Sequence, residues 1–347
     1  MKKNPYSLLF GKEPMQSISR TVQYNEVITG FSEEDSTDQI YMISGIRGSG
    51  KTVFMTEIVK HFTAEDDWVV IQLNPERDML ESLAAKLTSE SRLKKILKNS
   101  SINLSFWGFG VGYSQGAQIT DIEVAITKIL ESLKKHKKRV LIAIDEVTSS
   151  KEMRIFSSAF QMFVRDDLPV YLLMTGLYEN IEELQNEKTL TFLYRAPKMV
   201  LKPLNTGAIA THYEKTFNLD REDALEMARL TNGYPFAFQV LGYLTWDNKG
   251  DYKGIIDDYR QNLEEYVYEK IWSEMSAGDR RIAYGIAKAE DSKVSSVRKI
   301  LGIENGEFNP YRKRLIRKGI INGDKYGEVC FTLPLFDMFV LDNYQEG

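Results

Sequence analysis

Eight consecutive residues, Gly45-Ile46-Arg47-Gly48-Ser49-Gly50-Lys51-Thr52, fit the spacing G-x-x-x-x-G-K-[ST] without a mismatch. The glycines let backbone N–H groups turn toward one centre, and a helix starting at the end of the segment adds positive potential there. That is the chemistry of a phosphate cradle. Lys51 would reach the β- and γ-phosphates of a nucleoside triphosphate, and the Thr52 hydroxyl would sit on Mg²⁺.

Such a cradle needs a second magnesium anchor. Asp145 stands at the end of the apolar run Val140-Leu141-Ile142-Ala143-Ile144, at the sheet edge where ligands bind in parallel α/β folds. Its carboxylate is expected to hold Mg²⁺ through water. Glu146 follows directly, and a carboxylate next to the magnesium ligand can orient and deprotonate an attacking water. Thr175, at the end of Pro169–Met174 and before Gly176, could place a hydroxyl on the γ-phosphate or the water. Arg195, in Phe192-Leu193-Tyr194-Arg195-Ala196-Pro197, is a candidate arginine finger in cis or on a neighbouring subunit; a surface salt bridge is the alternative.

These residues need elements to place them. Gln39–Ser44, before the cradle, is apolar and β-prone, and Val53–Lys60, after it, has apolar residues at helical spacing. Trp68–Leu73, Val140–Ile144 and Pro169–Met174 read as strands, the last two buried on both faces. Asp78 can cap a helix running to about Lys98. Ile122, Ile126, Ile129, Leu130 and Leu133 give another helix one apolar face. Strands alternating with helices predict a parallel sheet covered by helices, an α/β P-loop fold. The segment Ile102–Tyr113, rich in aromatics and glycine, reads as a packed hairpin or partner surface; with no Lys or Arg, base stacking is the weaker alternative. The run Lys134-Lys135-His136-Lys137-Lys138-Arg139 reads as the solvated last turn of a helix rather than a nucleic-acid patch.

After Leu204 the pattern turns helical: Thr206–Phe217, Arg221–Thr231, Pro235–Trp246 and Tyr252–Met275 form a small α-domain. From Ser276 onward three helices, a hairpin around Gly323-Asp324-Lys325-Tyr326-Gly327 and a last helix follow the order of a winged helix-turn-helix. The divisions expected are 1–204, 205–276 and 277–347. Between Ala277 and Cys330 there are twelve Lys/Arg and seven Asp/Glu, a net +5 within a chain of net −4. The third helix of this segment carries Arg312, Lys313, Arg314, Arg317 and Lys318, which makes duplex DNA a candidate partner; intramolecular docking or protein contact is the alternative.

The 347 residues give ample core, and 43% hydrophobic with 27% charged residues is an ordinary globular composition. The net charge argues against a chain coated all over by nucleic acid. One cysteine, Cys330, forbids an internal disulfide and points to a reducing, cytoplasmic setting; its apolar flanks, Val329 and Phe331, predict a buried structural thiol. His61, His136 and His212 lack ligand spacing. Met1–Pro5 is not followed by an apolar signal core, and the longest apolar run, near Phe236–Leu244, is too short to span a bilayer.

The set Gly45–Thr52, Val140–Glu146, Leu173–Gly176 and Arg195 resembles the AAA+/STAND superclass of P-loop ATPases, and within it the archaeal-type ATPase family. Asn4-Pro5-Tyr6, Phe10-Gly11 and Arg20 resemble that family's N-terminal segment, which packs near the adenine. Thr231-Asn232-Gly233-Tyr234-Pro235 is similar to its G-x-P motif, whose proline lies near the nucleotide in STAND proteins. The resemblance implies parallel strands in the order 5-1-4-3-2, a helical lid and a terminal winged helix. The helical segment lacks an unmistakable sensor-2 arginine, and the resemblance implies that Pro235 takes that place. The expected activity is that of a Mg²⁺-dependent switch ATPase, binding ATP and hydrolysing it slowly to ADP. The alternatives are an ATP-gated DNA-binding protein and a scaffold that assembles with itself or with protein partners when ATP is bound.

Overall fold

The computed structural model describes residues 3–8, 14–33, 38–99 and 121–345. The expectations for Phe10-Gly11 and for the hairpin at Ile102–Tyr113 lie outside the described residues. The chain divides into two compact units. One comprises Thr21–Ser44 and Lys51–Val200; the other comprises Met1–Arg20, Gly45–Gly50 and Leu201–Gly347.

The first of these units is built on a five-stranded sheet. Its strands are β1 (Ile40–Ser44), β2 (Trp68–Leu73), β3 (Arg139–Ile144), β4 (Val170–Gly176) and β5 (Lys198–Val200). They lie in the order β2-β3-β4-β1-β5, every pair parallel, which is the order implied by the resemblance. The central strands are buried on both faces, which is why they read as unbroken apolar runs rather than as alternation. The helices are α1 (Thr21–Ser32), α2 (Lys51–Ala64), α3 (Met79–Ser89), α4 (Lys94–Asn99), α5 (Ile122–Lys135), α6 (Lys151–Arg165) and α7 (Tyr178–Gln185). On one side Ile126, Ile129, Leu83, Phe156 and Phe160 pack with Met42, Ile142 and Leu172. A separate aromatic cluster joins Phe31 to Tyr41 (5.1 Å between centroids), Phe62 to Trp68 (4.3 Å) and Trp68 to Tyr171 (4.8 Å).

Local chemistry sets the helix ends. The Asp78 side chain accepts the Glu81 N–H at 2.9 Å, and Asp121 and Ser150 cap α5 and α6 in the same way. The helix expected to reach Lys98 is interrupted: Glu90 turns extended (φ −64°, ψ 121°) and its side chain accepts the Arg92 N–H, starting a new turn. The basic run does close α5. Lys134 pairs with Asp167 (2.5 Å), Lys138 donates to the Asp66 carbonyl, and Arg139 pairs with Asp67 while lying 4.4 Å over the Trp68 ring.

The other unit holds α8 (Thr206–Phe217), α9 (Arg221–Arg229), α10 (Pro235–Asp247), α11 (Ile256–Leu263) and α12 (Glu269–Glu274). The single helix expected over Tyr252–Met275 instead contains a π turn at Glu264–Tyr268, which buries Val267 and Tyr268 side by side. Tyr6 is buried among these helices, stacked on Phe217 (5.9 Å), its hydroxyl 3.0 Å from His212 Nε2.

The C-terminal part has α13 (Ala277–Lys288), α14 (Val294–Leu301), α15 (Asn305–Arg317), the antiparallel hairpin β6 (Ile321–Asn322) and β7 (Cys330–Phe331), and α16 (Phe336–Asn343). A bridge between Lys293 and Glu328 extends the hairpin toward the start of α14, as in a winged helix. Cys330 is exposed, not buried as expected. Alternation along the short strand turns Val329 inward and the thiol outward, while partial burial and the Glu328 carboxylate raise the thiol's pKa.

Arg314 does not stand free on α15. Its guanidinium pairs with Asp279 at 2.7 Å, donates to Ser276 Oγ at 3.1 Å and lies 4.9 Å from the Tyr311 ring centre. The Asp279 carboxylate is 1% exposed. Arg314→Ala would leave that carboxylate buried beside no cation, and should lower stability by about 3 kcal/mol, the low end for a broken buried pair because Arg314 itself is half exposed. Urea unfolding checks this; a change under about 1 kcal/mol would place the pair with ordinary surface bridges.

Candidate functional site

The glycine loop begins where β1 ends and runs directly into α2 at Lys51. Gly48 and Gly50 have φ of +74° and +85°, the left-handed region that side chains disfavour. A Cβ at Gly48 would also collide with the Tyr234 hydroxyl. The loop is gripped from its own unit. Tyr234 Oη donates to the Arg47 carbonyl at 2.6 Å, the Phe236 N–H donates to the Gly48 carbonyl at 3.2 Å, and Arg20 Nη2 donates to the Ser49 carbonyl at 3.2 Å. The Pro235 ring lies against Gly50, 3.8 Å from where a Cβ would sit. Ile46 packs on the apolar core of this unit, and Arg47 Nη2 lies 3.5 Å from Glu274. The buried Ser49 hydroxyl has no hydrogen-bond partner among the described residues.

The sheet unit carries Thr52, Asp145, Glu146 and Thr175. β3 and β4 lie in register with Ile144 opposite Met174, so Asp145 and Thr175 emerge together at the same sheet edge. Asp145 Oδ2 accepts the Thr52 hydroxyl at 2.7 Å, and Oδ1 accepts the Thr175 hydroxyl. Glu146 has a left-handed backbone, φ +55°, a conformation that costs a non-glycine residue free energy and occurs at functional turns. What holds it is visible: its N–H reaches Asp145 Oδ1 (3.1 Å) and Thr175 Oγ1 (3.3 Å), and the next amide, Val147, donates to the Thr175 carbonyl. The turn leaves the Glu146 side chain exposed, with no partner for its carboxylate among the described residues.

The other expected residues fall as follows. Lys51 is the first residue of α2. Arg195 is exposed in a 3-10 turn before β5, without an ion pair among the described residues. Arg20, expected near the adenine, donates to the Ser49 and Lys202 carbonyls. On α15, Arg312 donates to the Gly323 carbonyl and Arg314 is bound to Asp279, while Lys313 and Arg317 are exposed. Lys318 is half-buried at the helix end.

Tyr234, Glu274 and Asp279 were given no role in the sequence reading. Tyr234 stood there only as the middle residue of the G-x-P motif, and Asp279 carried the Ser276-x-x-Asp279 capping pattern. Tyr234 touches a residue 187 positions away.

Among the described residues no group of three or more His, Cys, Asp or Glu could hold a metal. The Thr52 hydroxyl and Asp145 carboxylate are hard oxygen donors meeting at one point, a set that fits Mg²⁺ when phosphate oxygens and water complete the shell. No helix among the described residues is long and apolar enough to cross a membrane.

Residues 30–193 match the family model described as an ATPase domain predominantly from Archaea, and residues 265–340 match one described as a domain of unknown function. No curated protein matches the sequence. Among solved structures, the Walker-type ATPase of Pyrococcus abyssi is similar at 16% identity, with a TM-score of 0.63 over 94% of this chain and 96% of that one. The ORC2 protein of Aeropyrum pernix, in ADPNP–ADP complexes, is similar at 13% identity, with a TM-score of 0.54 over 93% of this chain and 91% of that one. Both likenesses are of fold.

Gly48→Ala should destabilise the protein by at least about 1 kcal/mol from the left-handed backbone alone, with the Tyr234 collision added. Thermal or urea unfolding reads it; a neutral result would contradict the close approach.

Proposed function

We propose that this protein, whose residues 30–193 match a model of an ATPase domain predominantly from Archaea and whose fold is similar to that of solved P-loop ATPases, binds ATP with Mg²⁺ at Gly45–Thr52, hydrolyses it slowly as an AAA+/STAND-like switch, and reads out the nucleotide state through its C-terminal winged helix. The observation that carries the proposal is the Thr52–Asp145 contact, which joins the first turn after the glycine loop to the carboxylate at the end of β3.

The roles follow from the chemistry of each group. Loop amides and the Lys51 ammonium neutralise the phosphate tail. Thr52 and Asp145 would hold Mg²⁺, which supplies charge neutralisation at the β- and γ-oxygens. The exposed Glu146 carboxylate takes a proton from the attacking water. The water oxygen bonds to the γ-phosphorus, the bond to the bridging oxygen breaks, and ADP and phosphate leave. Thr175 holds Asp145 and the Glu146 turn at once, so it can register departure of the γ-phosphate. Arg195 is unpaired among the described residues and available to add positive charge in the transition state, in cis or from a second copy.

A second reading makes duplex DNA the target of the winged helix. The net +5 between Ala277 and Cys330 and the exposed Lys313 on α15 favour it. Arg314 is unsuitable for testing it, because charge reversal there breaks the Asp279 pair.

Lys51→Ala should abolish ATP binding by calorimetry, and normal affinity would refute the cradle. Glu146→Gln should keep ATP affinity and slow turnover by about 100-fold or more; unchanged turnover removes Glu146 from the mechanism. Lys313→Glu should weaken a salt-dependent mobility shift on duplex DNA; no shift in the wild type disposes of the DNA reading. A trans-acting Arg195 should make activity per subunit rise with protein concentration, and a flat profile counts against it.

A further inference from the structure

We propose that Tyr234 is a positioning residue for the nucleotide's phosphates: its hydroxyl fixes the Arg47–Gly48 peptide so that the Gly48 amide is turned toward the anion. The proposal rests on the reading of this loop as the ATP site and names a residue on which its affinity depends.

In a trans peptide the C=O and the following N–H point in opposite directions. A donor that captures a carbonyl therefore aims the next amide the other way. Three successive carbonyls of the loop are captured from within the same unit: Arg47 by Tyr234 Oη (2.6 Å), Gly48 by the Phe236 N–H (3.2 Å) and Ser49 by Arg20 Nη2 (3.2 Å). The three following amides are those of Gly48, Ser49 and Gly50. The Ser49 N–H closes a turn onto the Ile46 carbonyl at 3.1 Å. The Gly48 and Gly50 amides donate to no described residue. They face away from the clamp and remain available.

Tyr234 and Arg20 donate from side chains and Phe236 from its backbone amide; Tyr234 can lose its donor group alone while its buried ring stays in place. Its ring is 3% exposed, and burial pushes the phenol far above its usual pKa, so it remains a donor at working pH. Its hydroxyl crowds the place a Cβ of Gly48 would take, so the tyrosine in this position leaves room for glycine and not for a side chain. The Arg47 guanidinium itself lies 3.5 Å from Glu274.

Tyr234→Phe retains the buried ring and removes only the hydroxyl. Calorimetry with Mg-ATP and, separately, with inorganic tripolyphosphate should show both dissociation constants raised by about tenfold, the effect of one lost buried hydrogen bond to the loop. In spectra of protein carrying ¹⁵N-glycine, tripolyphosphate should shift the Gly48 amide of the wild type, and that shift should shrink in the variant. A purely structural role would lower the unfolding temperature and leave both dissociation constants unchanged well below it. Constants within twofold of the wild type, or an undiminished Gly48 shift, overturn the clamp while the ATP site stands. No heat from either ligand in the wild type removes the ATP reading itself. Should Tyr234→Phe fail to fold, Arg20→Met deletes the donor to the Ser49 carbonyl and tests the same clamp: both constants should rise, and unchanged constants overturn it.

Discussion

A backbone that offers its amides to an anion must hide its carbonyls, and the rest of this site depends on how that is done. Two left-handed glycines, Gly48 and Gly50, bend the loop. Bending alone would leave carbonyl oxygens pointing into the same space, where they would repel phosphate. Tyr234, Phe236 and Arg20 draw three of them away. The donors come from the start of α10 and from the residue before α1, so the loop's shape is a property of a folded unit and not of its own sequence.

The carboxylate side obeys a similar economy of few groups. Asp145 receives the hydroxyls of Thr52 and Thr175 on its two oxygens, and the Glu146 amide leans on the same carboxylate. One side chain thereby orders the start of a helix, the end of a neighbouring strand and a strained turn. That turn puts Glu146 in the open, whereas a regular continuation of β3 would have carried it on in the strand direction. The strain sits at Glu146, the residue proposed as the base, and its support comes from Asp145 and Thr175.

The C-terminal part shows how far a charge count can mislead about individual side chains. The basic helix α15 is real, yet Arg312 holds the Gly323 carbonyl and Arg314 a buried aspartate. Cys330 makes the same point for apolar context, since a two-residue strand turns alternate side chains outward whatever their neighbours are.

What the sequence determined by itself was local and contiguous: the loop, recognisable by the spacing of its eight residues; the doubly buried strands, recognisable as strands by their apolar runs; Asp78 as a cap; and Asp145-Glu146 at a strand end. The strand order came from resemblance, because apolar runs are interchangeable in the pattern of residues. The tertiary structure alone decided that Tyr234 meets Arg47, that Asp279 meets Arg314 and that a π turn interrupts a helix. Each depends on atoms brought together from distant positions or on how a core is filled. Residue type records what a side chain is able to bond, and only the fold settles which partner stands within reach.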